Sequence, residues 1–123
     1  MSDQEILQNE LLIRQPPAIT DTLQKSSVGV AGVGGLGSVA AECLARSGIG
    51  SLVMVDHDVI ELSNLNRQRY RLEQVGRPKA DALVENIRAF NPWISLESHQ
   101  IRLNDENAAT VFQSCPIVLE CLD

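Results

Sequence analysis

The chain lacks any long apolar run. None approaches the about 20 residues that a membrane-spanning helix needs, so no segment is expected to cross a bilayer. Its first residues, Met1-Ser2-Asp3-Gln4-Glu5, are acidic and have no apolar core of the kind a secretory leader carries. Cysteine is scarce: Cys43, Cys115 and Cys121 are an odd number without a C-x-x-C pair. That count, without a leader, points to a reducing, cytoplasmic setting. It also leaves too few ligands for zinc, which would have to come from a further C-terminal part. Basic charge is short, with 10 Lys and Arg against 16 Asp and Glu and a net charge of −6. This argues against a nucleic-acid footprint, DNA included, which would need a basic face, although a few local cations can still neutralise a phosphate chain. There is no repeat, no low-complexity tract, no Ser-His-Asp set and no paired-carboxylate arrangement.

What is present fits one small globular domain. At 123 residues, 44% hydrophobic and 21% charged, the chain can bury roughly two thirds of its unfolded surface. Ser2 and Glu5 form a capping-box pattern ahead of Ile6, Leu7, Leu11 and Leu12, which predicts a helix over 3–14. Pro16-Pro17 stops it, and 20–25 reads as a short helical turn. Residues 1–25 therefore read as a helical arm, and 26–123 as the domain proper. In the domain, 27–31 reads as a buried strand. Residues 36–47 read as a helix with Val39, Ala40, Cys43 and Leu44 inward, so that Cys43 is an inert, buried thiol. Residues 51–56 are a second strand, and 59–71 a polar loop without periodicity. A helix over 79–90 starts behind Pro78, with Ala80, Leu83, Val84 and Ile87 inward. A strand over 94–100, a short helix over 105–112 and a last buried strand over 116–122 complete the order β-α-β-α-β-α-β. Trp93 reads as packing, Cys115 and Cys121 as core thiols, and His57 and His99 as residues without a mechanistic task. This order predicts a parallel sheet with helices on both faces. A domain of this kind normally continues past a fourth strand, so the chain is expected to be the front part of a longer one. The edge at 116–122 would then invite pairing with another chain.

The chemistry concentrates between residues 28 and 68. Gly32, Gly34 and Gly37 fit G-x-G-x-x-G, with Gly35 as an extra, between a strand and a helix. Glycine there lets phosphate approach the backbone, and the N–H groups opening the next helix face the anion. Asp56 ends the second strand, where a carboxylate can accept both ribose hydroxyls. So far a nicotinamide-dependent oxidoreductase fits equally well. The loop that follows tips the balance: Asn64, Arg67 and Gln68 lie within a few residues of one another, and Lys79 opens the next helix. Arg67 offers a fork donor for phosphate oxygens, and Lys79 a point charge near a helix N-terminus. Two cations converging on a phosphate chain suit phosphoryl or nucleotidyl transfer.

These runs, Gly-x-Gly-Gly-Leu-Gly, Val-Asp-His-Asp-x-x-Glu-x-Ser-Asn-Leu-Asn-Arg-Gln and Gly-x-Pro-Lys-Ala, resemble the ThiF/MoeB/ubiquitin-activating enzyme superfamily over about 25–123. The resemblance implies an α/β fold, a Rossmann-like parallel sheet flanked by helices. It implies that Gly32, Gly34, Gly35, Gly37 and Asp56 hold ATP, and that Asn64, Arg67, Gln68 and Lys79 surround its phosphates. Cys121-Leu122-Asp123 matches the context of an aspartate that helps bind Mg2+, so Asp123 is the metal candidate. Arg14 is the candidate for an arginine that reaches a partner subunit's site, which implies a homodimer. The activity implied is adenylation of the C-terminal carboxylate of a ubiquitin-like sulfur carrier, ThiS- or MoaD-like, in thiamine or molybdopterin biosynthesis. A branch acting on a modified base of tRNA carries the same motifs. A nicotinamide-dependent oxidoreductase, and a non-catalytic module that binds a ubiquitin-like tail, stay open as alternatives.

Overall fold

The computed structural model describes residues 1–123. Four strands, β1 (Ser27–Ala31), β2 (Ser51–Val55), β3 (Ser95–His99) and β4 (Ile117–Glu120), form one parallel sheet in the order β3-β2-β1-β4. The chain enters at β1, steps outward through α3 (Gly37–Ser47) to β2 and through α4 (Lys79–Arg88) to β3. It then returns through the short α5 (Ala108–Val111) to the far side of β1. The strand order thus reverses between β1 and β4. In open α/β sheets such a reversal leaves a crevice at the carboxyl ends of the strands.

Period-two alternation decides what each face buries. Val28 and Val30 lie beside Leu52 and Met54 in register and join Ala41, Ala45, Ala80, Leu83 and Ile87 under α3 and α4. Ala31, Val53 and Val55 point the other way and meet Phe112. That second face is only thinly covered, because α5 spans four residues and not the whole of 105–112.

Several sequence expectations are corrected. The inward residues of α3 are Gly37, Ser38, Ala41 and Ala45, with Val39, Ala40 and Leu44 half-buried and Cys43 exposed. Small side chains let the helix backbone approach the sheet, so the larger residues straddle the contact. Cys115 and Cys121 are half-buried and not in the core, and Trp93 is exposed at the foot of the domain. β4 is not buried. It pairs only with β1, and Ile117 and Val118 stay 59% and 42% exposed. Residues 59–71 are not featureless: Leu62–Asn66 forms a 3-10 turn, and Leu72–Gln74 forms another just beyond, both too short to leave a helical period in the sequence.

The arm is helical, as expected, and lies outside the sheet. α1 (Asp3–Arg14) opens on the capping box, with the Glu5 N–H donating to Ser2 Oγ and the Ser2 N–H to Glu5 Oε2. α2 (Pro17–Gln24) is longer than the predicted turn, because Pro17 takes the first helical position. Gln15 Nε2 donates to the Ser47 carbonyl at 3.2 Å, which seats the arm at the C-terminal end of α3. No helix is long and apolar enough to cross a membrane.

Candidate nucleotide site

A hollow of about 230 Å³ opens at the reversal between β1 and β4. Gly32, Gly34, Gly35, Asp56, Gln68, Lys79 and Asp123, all expected from the sequence, line it. His57, Asp58, Arg102, Leu103, Cys121 and Leu122 complete the wall.

The glycines divide into two kinds. Gly32 has φ +89° and its missing Cβ would stand 2.7 Å from the Cys121 carbonyl oxygen, while a Cβ on Gly37 would overlap the Gly32 carbonyl oxygen. Both are required by the protein's own packing. At Gly34 and Gly35 a Cβ would meet nothing nearer than Gln68 at 3.5 Å and Arg67 at 3.7 Å. Packing gives no reason for glycine at these two positions, but a ligand lying against their backbone does. The N–H groups of Gly34, Gly35, Leu36 and Gly37 donate to no protein acceptor. They form an anion-ready row at the start of α3.

A second layer fixes this loop. Val33, fully buried, donates its N–H to Asp56 Oδ2 at 2.9 Å and accepts at its carbonyl from the Tyr70 hydroxyl. The other Asp56 oxygen accepts the Asp58 N–H at 2.8 Å. Burial first, and then the Asp56 charge, push the Tyr70 phenol far above its ordinary range, so it remains a donor. Ser38 Oγ donates to the Gly34 carbonyl and accepts the Arg69 N–H at 3.2 Å, tying the glycine loop to the 62–71 loop. Sequence reading missed Tyr70 and Ser38. For Tyr70 the available signal was the alternation of Arg67, Arg69 and Arg71 with the uncharged Gln68 and Tyr70, the two that the structure turns inward.

The polar groups aimed into the hollow are undersupplied with partners. Lys79 is only 6% exposed, its ammonium makes no hydrogen bond, and its nearest carboxylate oxygen, on Asp58, lies 3.8 Å away. Gln68 is 7% exposed, and its Oε1 is the one buried side-chain polar atom without a partner. Buried polar groups are normally satisfied, so both fit a polar ligand between them. Asp56, Asp58 and Asp123 set three carboxylates against the cations Lys79 and Arg102 in this wall.

Four expected residues do not line the hollow: Gly37 packs against the Gly32 carbonyl, and Asn64, Arg67 and Arg14 are placed elsewhere. Asn64 does not reach the hollow: it is buried, and its Oδ1 accepts the Glu61 N–H at 2.8 Å, bracing the 3-10 turn. Arg67 lies outside Gly35, with Nη1 donating to Asn66 Oδ1 at 3.0 Å. Arg14 pairs with Glu10 on the surface of the arm. The arm is anchored at the far end of α3, and those 11 residues span about 16 Å. Arg14 therefore cannot enter its own chain's hollow. His57 and Arg102 meet on the rim, Nε2 to Nη2 at 3.2 Å.

The chain is similar to known proteins over nearly its whole length. The ThiF family model matches residues 8–123. Ubiquitin-like modifier-activating enzyme 5 of Arabidopsis thaliana is 37% identical over 94% of this chain and 31% of its own length. Adenylyltransferase and sulfurtransferase UBA4 of Yarrowia lipolytica is 39% identical over 82% of this chain and 26% of its own. Among solved structures, the tRNA N6-threonylcarbamoyladenosine dehydratase TcdA of E. coli, in complex with ATP, superposes with TM-score 0.92 at 30% identity. That match covers 99% of this chain and 51% of TcdA, so the chain spans about half that relative's length and a smaller share of the two others. With the family model covering nearly the whole sequence and the glycine loop, Asp56, Gln68 and Lys79 gathered in one hollow, the chain belongs to the ThiF family.

Proposed function

We propose that this chain forms the ATP-holding part of an enzyme that transfers AMP to a carboxylate. The acceptor proposed is the C-terminal carboxylate of a ubiquitin-like sulfur carrier, ThiS- or MoaD-like. The observation that carries this reading is the row of free N–H groups at 34–37, whose first two residues, Gly34 and Gly35, line the same hollow as the Lys79 ammonium, which makes no hydrogen bond, and the unpartnered Gln68 Oε1. The triphosphate would lie along that row, with the ribose at Asp56. A carboxylate oxygen of the acceptor attacks the α-phosphorus, the α–β anhydride bond breaks, and pyrophosphate leaves with the acyl-adenylate formed. The carboxylate is ionised at neutral pH and needs no general base. The protein's work is alignment and the neutralisation of charge on the leaving pyrophosphate.

Lys79 supplies that charge from inside. Arg67 would supply it from outside, by swinging over Gly35, whose open side it already borders. With three carboxylates in the wall, a divalent cation suits the site: Mg2+, when bound, would offset the triphosphate charge, and Asp123 is its proposed ligand. Arg14, far from its own hollow, fits a role in a second copy's site within a homodimer. The names of the two curated relatives, an activating enzyme for a ubiquitin-like modifier and an adenylyltransferase, support the reaction class.

A second acceptor, a carboxylate carried on tRNA, is favoured by the match to TcdA over 99% of the chain. Exchange of labelled pyrophosphate into ATP tests the reaction. Exchange that depends on added carrier is expected. Binding of ATP without exchange for any carboxylate substrate reduces the chain to a binding module, and stabilisation by NAD in place of ATP overturns the reading.

A further inference from the structure

The loop that closes the hollow has an outer side. Gln68 and Tyr70 turn inward, so Arg67, Arg69 and Arg71 all stand on the surface. Arg69 and Arg71 share a groove of about 350 Å³ with Arg46 of α3. Gln68 is the common wall, lining both this groove and the nucleotide hollow. Arg46 and Arg71 are ion-paired, with Glu42 at 3.2 Å and with Glu73 and Glu85 at 2.6 and 2.7 Å. Arg69 forms no ion pair, and only its backbone is used: its N–H donates to Ser38 Oγ and its carbonyl accepts from Asn86 Nδ2 at 3.0 Å. On a chain of net charge −6, this is a local gathering of guanidinium groups with one entirely free. The Arg46 guanidinium lies 3.9 Å above the Phe90 ring, so the groove also offers a flat stacking surface.

We infer that this groove binds a stretch of RNA backbone. Guanidinium forks match phosphate oxygens, and a flat guanidinium-on-aromatic face suits an unstacked base, which an acidic peptide does not have. The Glu42 carboxylate beside them can accept a ribose 2′-hydroxyl, which DNA lacks. The overall negative charge is no obstacle, because phosphate attraction is screened within about 10 Å at 0.1 M salt and is set by the nearest side chains. A strand in this groove lies one residue from Arg67 and so favours the RNA-borne acceptor of the two proposed above. The groove itself does not depend on whether the hollow binds ATP.

The test is fluorescence anisotropy with a labelled unmodified tRNA transcript, titrated at several salt concentrations. For Arg69→Glu the affinity should fall about tenfold or more, and the salt slope should shrink by about one. Arg69→Lys should keep the slope. Arg46→Glu combined with Arg69→Glu should lose more, with melting temperature and ATP affinity both read on the same samples and unchanged for Arg69→Glu. An Arg69→Glu protein that binds the transcript as the parent does overturns the inference. So does equal binding of a DNA hairpin or of poly-glutamate. If the parent binds the transcript but no ATP, the groove stands and the nucleotide reading falls.

Discussion

Replacing Gly34 by valine is expected to lower ATP affinity by about 100-fold or more while the melting temperature stays within a few degrees. Replacing Gly37 by alanine is expected to cost at least about 3 kcal/mol of stability, in the range of severe overpacking. The two residues belong to the same motif but answer to different causes. A Cβ on Gly37 would overlap the Gly32 carbonyl oxygen, where α3 presses against the end of β1. Backbone cannot move aside there without lifting the helix from the sheet. At Gly34 the nearest atom to a Cβ is Gln68 Nε2 at 3.5 Å, an ordinary contact, and its φ is not in the left-handed region. The added atoms would instead stand in the hollow, over the free N–H groups that a phosphate would use. Calorimetric titration with ATP and thermal melts of both variants decide the matter. Equal destabilisation at the two sites would reduce the motif to a packing turn.

Lys79→Met should separate stability from function in the opposite sense from most buried substitutions. The ammonium sits in a nearly closed position with one exposed carboxylate at 3.8 Å and no hydrogen bond. Removing an undercompensated buried charge in favour of an apolar chain of similar length is commonly neutral or stabilising. The melting temperature is therefore expected to hold or rise. ATP affinity is expected to fall about 10- to 150-fold, which corresponds to a charge-assisted bond of about 1.5–3 kcal/mol to phosphate. If Lys79 were instead a structural partner of Asp58, methionine would leave ATP binding intact and cost stability. A melt and a titration on one sample distinguish the two outcomes.

Elements whose cause is local could be read from the sequence. The Ser2–Glu5 capping box, β1 and β2 with their apolar runs, and α4 behind Pro78 appear where propensity and spacing put them. Gly32, Gly34, Gly35, Asp56, Gln68, Lys79 and Asp123 gather around one hollow because the order of elements brings the ends of β1, β2 and β4 together. Features decided by tertiary contact were not legible. α3 turns its smallest residues to the sheet, since close approach outweighs the area that Val39 and Leu44 could bury. The apolar run of β4 reads as buried, yet strand position in a sheet is not encoded in the strand itself, and β4 falls at an edge. Asn64 has the residue type of a ligand and the work of a turn brace, a distinction visible only from its bond to Glu61. The clamp on Val33 from Asp56 and Tyr70 joins residues 23 and 37 positions away, beyond any local pattern.

The most direct test of the nucleotide cradle is an amide-resolved NMR titration of the chain with ATP and Mg2+, run in parallel with NAD. The account predicts that the N–H signals of Gly34, Gly35, Leu36 and Gly37 move together with that of Asp123 on addition of ATP, and not with NAD. Signals at 34–37 that stay fixed at saturating ATP, or shifts confined to the arm and the foot of the domain, would contradict it.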